Sequence, residues 1–377
     1  MKKNIMRLAA LAAIGALAFG IGAPSAATGA TTKKLVWALE FKGKANVKPS
    51  SSVFSYDVGG GGWGNLEHQA YVDTNVKTDG VSQGNLVFTA SKYEPNINED
   101  IYYECPINTV GSACEFLSSR IHTKGKLAFQ YGRLEARIKN PKGDGTWPAF
   151  WMLGNDFPGN QWPNSGEIDI MEGKGANPWT VWGTVHGPGY FGGDGITNTW
   201  SLDKPLSSTY NVYAIEWFPN KINWYINNKL FHTVTPKSVG TNKWVFNKPF
   251  FLILNLAMGG RFTGDLDPDL TSAKMYVDYI RYYTINGQGK VTGTAAAIKA
   301  GKPEPKFNED APPRRSLRGS FLLPWLAGGL RGLFSRCQCA HLRCRTNGQR
   351  SERDTNSECN VHRLNPNLVY GETYSDE

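Results

Sequence analysis

From Lys34 to about Tyr283 the chain is written in short runs in which apolar and polar residues alternate. The clearest are "LVWALEF", "NLVFTASKY", "GRLEARIKN", "VWGTVHG", "VYAIEWF", "INWYI", "KLFHTV", "FFLILNLAM" and "MYVDYIRYY". They are rich in β-branched and aromatic residues, and Gly, Pro, Asn and Asp separate them. A period of two sends successive side chains to opposite faces, so each run predicts a strand. "YINNKLF" reads as a hairpin with a two-residue Asn-Asn tip. No window of comparable length has helical periodicity. The pattern predicts an all-β fold, a large antiparallel β-sandwich of jelly-roll type, as one domain of about 250 residues.

One stretch breaks the alternation. In "NSGEIDIMEGKG", Glu167 and Asp169 share a strand face, but Glu172 falls on the other. A one-residue bulge near Ile170 or Met171 resets the period and returns Glu172 to the face of the first two acids. Three carboxylates crowded on one face repel, which raises the pKa of at least one. A pair of carboxyls in different protonation states is what glycosidic cleavage uses, one ionised to attack and one protonated to donate. The plainer alternative is an acidic strand facing water. It does not account for Trp147, Trp151 and Trp162 just upstream, nor for His186 one strand later.

Composition adds to this. The chain has 377 residues, among them 12 Trp and 16 Tyr. Such rings serve either core packing or flat platforms for sugar faces. The net charge of +9 suggests a nucleic-acid binder until it is located. Residues 285–377 hold 14 basic and 9 acidic residues, a surplus of 5, and Lys2, Lys3 and Arg7 hold 3 more. Little remains for the segment between, so a phosphate-tracking domain is excluded. No nucleotide-binding glycine pattern and no serine-nucleophile elbow occurs. "VGGGGWG" at 58–64 is followed by no helix and reads as a turn.

The first 30 residues pair a basic start with an apolar run from Leu8 to about Ile21 and then small residues. This is the layout of a secretory signal peptide, with cleavage between Ala26 and Ala30. No later run is long and apolar enough to span a membrane. Export makes a disulfide between Cys105 and Cys114 reasonable, two free thiols being the alternative. After residue 284 the text turns Pro-, Lys- and Glu-rich, like a linker. It then mixes Arg, Gly and Cys337, Cys339, Cys344 and Cys359 with no period. That tail is read as holding little fixed structure. Its spacing supports no zinc ligand set. A small disulfide module and a read-through or shifted reading frame remain alternatives.

"GEIDIMEG" resembles the signature of glycoside hydrolase family sixteen, in the longer form typical of the laminarinases, the endo-1,3-β-glucanases. "GWGNLEHQAYV", "SSRIHTKGKLAFQYGRLEARIKNPKGDGTWPAFWMLG", "VWGTVHGPGYFGG", "LILNLAMGG" and "MYVDYIRYY" resemble that branch in the same order. The resemblance covers residues 34–284. It implies a concanavalin-like sandwich with an open cleft, and hydrolysis of internal β-1,3 linkages with retention of configuration. Glu167 matches the nucleophile, Glu172 the acid/base, and Asp169 the acid that tunes the pair. Trp162 matches the floor of the cleavage subsite, and Trp147 and Trp151 match sugar-stacking positions. For these last two, core packing is the alternative. His186 matches a cleft histidine, and Asn65 and Arg120 match polar contacts to hydroxyls. One structural calcium is implied at Glu40, Gly84 and Asp278, with no cofactor for catalysis. The implied protein is a secreted monomer acting on β-1,3-glucan, with side activity on mixed-linkage glucan compatible. A non-cleaving carbohydrate-recognition protein and a wall-anchored structural protein are the readings from other classes.

Overall fold

Two sheets form the framework of the residues described in the computed structural model, which are 31–80, 84–94, 103–105 and 112–303. The leader at 1–30 and the chain beyond 303, with its four cysteines, lie outside them. The first sheet has ten strands. Its spine is Gly132–Lys139 beside Ser272–Ile285, flanked by Asn211–Phe218 on one side and Leu86–Lys92 on the other. The second has nine, ordered through Ile196–Ser201, Asn177–His186, Glu167–Lys174, Thr146–Gly154 and Phe250–Met258 to Arg120–His122 and Ser55–Asp57. Alternating residues from both sheets, among them Trp37, Ile138, Phe150, Ile168, Trp217, Trp224 and Leu254, meet in a single buried core. One short edge pair, Gln69–Tyr71 with Phe116–Ser118, is parallel. The expected Asn-Asn hairpin joins Lys221–Ile226 to Lys229–Val234, with φ of 49° and 64° at Asn227 and Asn228. Two positive φ values in a two-residue loop match the twist of the flanking strands.

The alternation fails where the sequence breaks it. Opposite Thr146–Gly154, Trp151 pairs with Asp169, but Phe150 pairs with Met171. Opposite Asn177–His186, Asp169 pairs with Thr184 and Glu172 with Trp182. Three steps on one strand thus answer two on the other, which is a bulge at Ile170–Met171. Both bulge side chains are buried in the core. The indole Nε1–H of Trp224, on the opposite sheet, donates to the Asp169 carbonyl at 2.7 Å. Gly183, on the next strand, makes room for that indole, because a Cβ there would lie 2.6 Å from Trp224 Cδ1.

The sequence predicts a linker from residue 285, whereas the fold continues. Lys290–Gly293 pairs with Leu127–Gln130. Thr294 caps a short helix, Ala295–Ala300, by accepting the Ala297 N–H. Trp37 Nε1–H donates to the buried Ala297 carbonyl at 3.2 Å. The segment is too short to show a period, and it is ordered by what it packs against. No described helix is long and apolar enough to cross a membrane.

Replacing Trp224 with Phe removes the donor to the bulge carbonyl while keeping most of the packed ring. The expected loss is about 1–3 kcal/mol of unfolding free energy. Urea denaturation measures it, and an unchanged midpoint would mean that this carbonyl is satisfied without the indole.

Candidate active site

The bulge sets three acids on the outward face of the nine-stranded sheet. Glu167 stands opposite Leu153 and His186, Asp169 opposite Trp151 and Thr184, and Glu172 opposite Ala149 and Trp182. Each outer acid has an indole of its own. Trp162 Nε1–H donates to Glu167 Oε2 at 2.8 Å, and Trp147 Nε1–H donates to Glu172 Oε1 at 3.0 Å. His186 Nε2 lies 3.3 Å from Asp169 Oδ2 and 3.9 Å from Glu167 Oε1. Asp169 is the deepest of the three, its side chain 4% exposed against 17% for Glu167.

Crowding and burial raise all three pKa values. Burial, then the charge of Asp169, pushes Glu167 up to about 8, against the pull of His186 and the Trp162 N–H. Burial is also the largest cause at Glu172, which rises to about 7, with Glu167 adding to it and His186, Trp147 and Lys174 opposing. Asp169 rises well above the usual carboxylate range, through burial first and then the charge of Glu172. The order at Glu167 and Glu172, taken singly, would leave the proton on the wrong acid for attack by Glu167. The acids interact, however, so protons leave the cluster as a unit. Glu167 and Asp169 lie close enough for each to shift the other's pKa.

Aromatic walls flank the acids. Trp162 meets the exposed Phe191 with ring centroids 5.4 Å apart. Phe262 stands 4.8 Å from Trp147 and 5.8 Å from Trp182, and Lys174 Nζ caps the Phe262 ring at 3.8 Å. On the other flank the Arg120 guanidinium lies 5.1 Å from the Trp63 ring centre and 4.9 Å from that of Trp151. Asp57 Oδ2 holds Arg120 Nε at 2.9 Å. Trp151 Nε1–H donates to Asn255 Oδ1 at 2.7 Å, and Asn255 donates in turn to the Tyr71 hydroxyl at 3.1 Å. Tyr71 and Asn65 both donate to the buried Glu67, at 3.3 and 3.2 Å.

Trp147, Trp151, Trp162, His186, Arg120 and Asn65 are thus joined to the surroundings of the three acids by one network of contacts. Trp147 and Trp151 share a strand face but have separate partners, one beside Glu172 and the other in the arginine stack. Sequence reasoning missed Trp63, Asp57, Trp182, Phe262, Lys174 and Phe191. Trp182 was within reach, since it lies four residues before His186 on an alternating strand. Phe262 comes from a loop and has no local signal. Cys105 and Cys114 form a disulfide. The Gly61 N–H donates to the Glu104 carbonyl beside it at 2.7 Å, which ties this bridge to the loop carrying Trp63.

The calcium positions sit elsewhere, at one end of the ten-stranded sheet. Asp278, the only side-chain ligand in the expected set, places Oδ2 2.5 Å from Arg137 Nη1. Glu40 Oε1 is 2.6 Å from Arg281 Nε. The Arg137 guanidinium held against Asp278 opposes a dication there, so the one side-chain ligand of the set does not fit a calcium ion as it stands. The sequence places these residues but not their arginine partners, which come from neighbouring strands.

Residues 67–281 match the family described as glycosyl hydrolases family 16. A beta-glucanase of Rhodothermus marinus is 38% identical over 260 residues, covering 66% of this chain and 85% of that protein. Glucan endo-1,3-beta-glucosidase A1 of Niallia circulans is 34% identical over 272 residues, 66% of this chain and 37% of that protein. Among solved structures, the catalytic domain of an endo-1,3-beta-glucanase (laminarinase) from Thermotoga petrophila RKU-1 superposes with a TM-score of 0.60 at 36% identity. That match covers 68% of this chain and 99% of the other. Hydrolases of this kind need no cofactor for catalysis. A bulged strand carrying three acids, a sandwich fold and a family match over more than half its length lead to one conclusion: the chain belongs to glycoside hydrolase family 16.

Proposed function

We propose that this protein is a secreted endo-1,3-β-glucanase that hydrolyses internal β-1,3-glucosidic bonds of laminarin-type glucans with retention of configuration. The observation that carries the reading is the pair Glu167 and Glu172, turned to one face by the bulge and each anchored by its own indole. Glu167 attacks the anomeric carbon. Glu172 gives its proton to the departing sugar oxygen, and a glycosyl-enzyme forms. Water deprotonated by Glu172 then releases the product. This route calls for carboxyls about 5–5.5 Å apart. In this reading Asp169 takes a proton while Glu167 is charged, and His186 orients both. Trp162 floors the bond being cut. Trp147 and the Arg120 stack with Trp63 and Trp151 present apolar faces to neighbouring sugars. An open cleft suits an internal linkage. The leader and the Cys105–Cys114 disulfide support export. Calcium has no part in this reading.

The non-cleaving recognition reading is disfavoured by the presence of both glutamates. Mass analysis of products from laminarin, lichenan and agarose in parallel tests the substrate, with β-1,3-linked oligosaccharides from laminarin expected. Glu172→Gln is expected to lower kcat by about 10²–10⁴-fold. Glu167→Gln is expected to lower it by roughly 10⁴-fold or more. Equal, absent release of sugar by wild type and variants would point to a binding protein instead.

The raised pKa values also predict how stability depends on pH. Folded Glu167 and Glu172 hold protons up to about 8 and about 7, against 4.5 for an ordinary glutamate. A group with a raised folded pKa contributes stability in full below its unfolded value. That contribution is lost as pH rises through the folded value. Thermal stability is therefore expected to fall from about pH 5 to about pH 9, and less steeply in Glu167→Gln. A Tm that rises over this range in wild type refutes the assignment. Dialysis against EDTA is expected to leave activity and Tm unchanged. A Tm loss of several degrees, reversed by Ca2+, would restore calcium to Glu40, Gly84 and Asp278.

A further inference from the structure

We infer that Glu167, Asp169 and His186 form a tridentate site for a borderline divalent metal ion such as Zn2+, and that the ion blocks the cleft. One ligand atom from each of these residues lies within 4.8 Å of the other two. A tetrahedral ion bonded at about 2.0–2.1 Å needs donor atoms roughly 3.4 Å apart. Asp169 Oδ2 and His186 Nε2 already stand 3.3 Å apart, and Glu167 Oε1 is 3.9 Å from the same nitrogen. Closing that edge takes about half an ångström, and the third edge, from Glu167 to Asp169, is no longer than 4.8 Å, so side-chain rotation has to draw the two carboxylates together.

The donors are held in place before any ion arrives. Trp162 occupies the other oxygen of Glu167, which leaves Oε1 on the His186 side. Gly195 packs so closely on the imidazole that a Cβ there would lie 2.5 Å from Cε1. The telling atom is Asp169 Oδ2. It is buried in a residue only 3% exposed, it faces this point, and it has no hydrogen-bond partner of proper geometry. A buried carboxylate oxygen that meets its neighbour, His186 Nε2 at 3.3 Å, without hydrogen-bond geometry is costly. An ion would satisfy it, displacing to solvent a proton held by the carboxylates. A dication that displaces the protons of the cluster is offset by the carboxylates it leaves charged. One imidazole and two carboxylates suit zinc or copper rather than calcium, which takes six to eight oxygens. The fourth position opens to the cleft and takes water.

Binding itself follows from this geometry alone. Inhibition rests on the glucanase reading, because the metal would occupy the attacking oxygen. The test is calorimetric titration of ZnCl2 into the full chain, alongside His186→Ala, Asp169→Asn and the isosteric Glu167→Gln, each checked for folding by circular dichroism. Sites elsewhere in the chain are common to all four proteins and cancel in the comparison. Wild type is expected to show one site that these substitutions weaken by more than about tenfold, the lower range for loss of even an outer partner of a metal ligand. Zn2+ is expected to raise the apparent KM for laminarin without lowering kcat, reversibly on adding EDTA. Identical Zn2+ titrations for wild type and folded Glu167→Gln and His186→Ala overturn the site. Substitution-sensitive binding in a chain that cleaves no glucan would keep the site and reject the glucanase reading.

Discussion

The active face depends on one hydrogen bond between the sheets. A bulge at Ile170–Met171 takes the Asp169 carbonyl out of the regular ladder, and a buried carbonyl without a donor is expensive. Trp224, fully buried on the other sheet, supplies the donor at 2.7 Å. Gly183 admits its ring. Two consecutive apolar side chains, Ile170 and Met171, then both enter the core, and Glu172 turns out to the face of Glu167. Without this donor the bulge would leave a buried carbonyl unpaired.

The electrostatics follow from that geometry. Three carboxyls in a partly dry cleft cannot all be charged, so the cluster keeps protons at pH values where a lone glutamate has lost them. Indole N–H groups favour a charged Glu167 and Glu172 without bringing a full positive charge into the cleft. The arrangement is unfavourable for stability at high pH and suitable for chemistry that needs one acid and one base side by side. The far wall of the cleft is built differently. There Arg120 carries the full charge, held by Asp57 and stacked between two rings, with a buried polar chain from Trp151 to Glu67 behind it.

Local pattern sufficed for much of this. Alternation is a property of neighbouring residues, so the strands, the Asn-Asn hairpin and the extra residue between Asp169 and Glu172 could be read directly. The three acids came with them, as did the shared face of Trp147 and Trp151. The helix at 295–300 and the strand at 290–293 could not be read that way. They are short, and their order comes from Trp37 and from Leu127–Gln130, far away in the chain.

The sequence by itself determined which residues form strands and which acids share a face, because a period of two and its single interruption are set by steric alternation along the backbone. Tertiary structure alone decided which indole reaches which carboxyl, that Phe262 and Trp182 stand beside Glu172, and that Arg120 lies between Trp63 and Trp151. It also gave Asp278 to Arg137. Each of these depends on which strands become neighbours and in what register. That is fixed by packing two whole sheets against each other, and no short window of sequence records it.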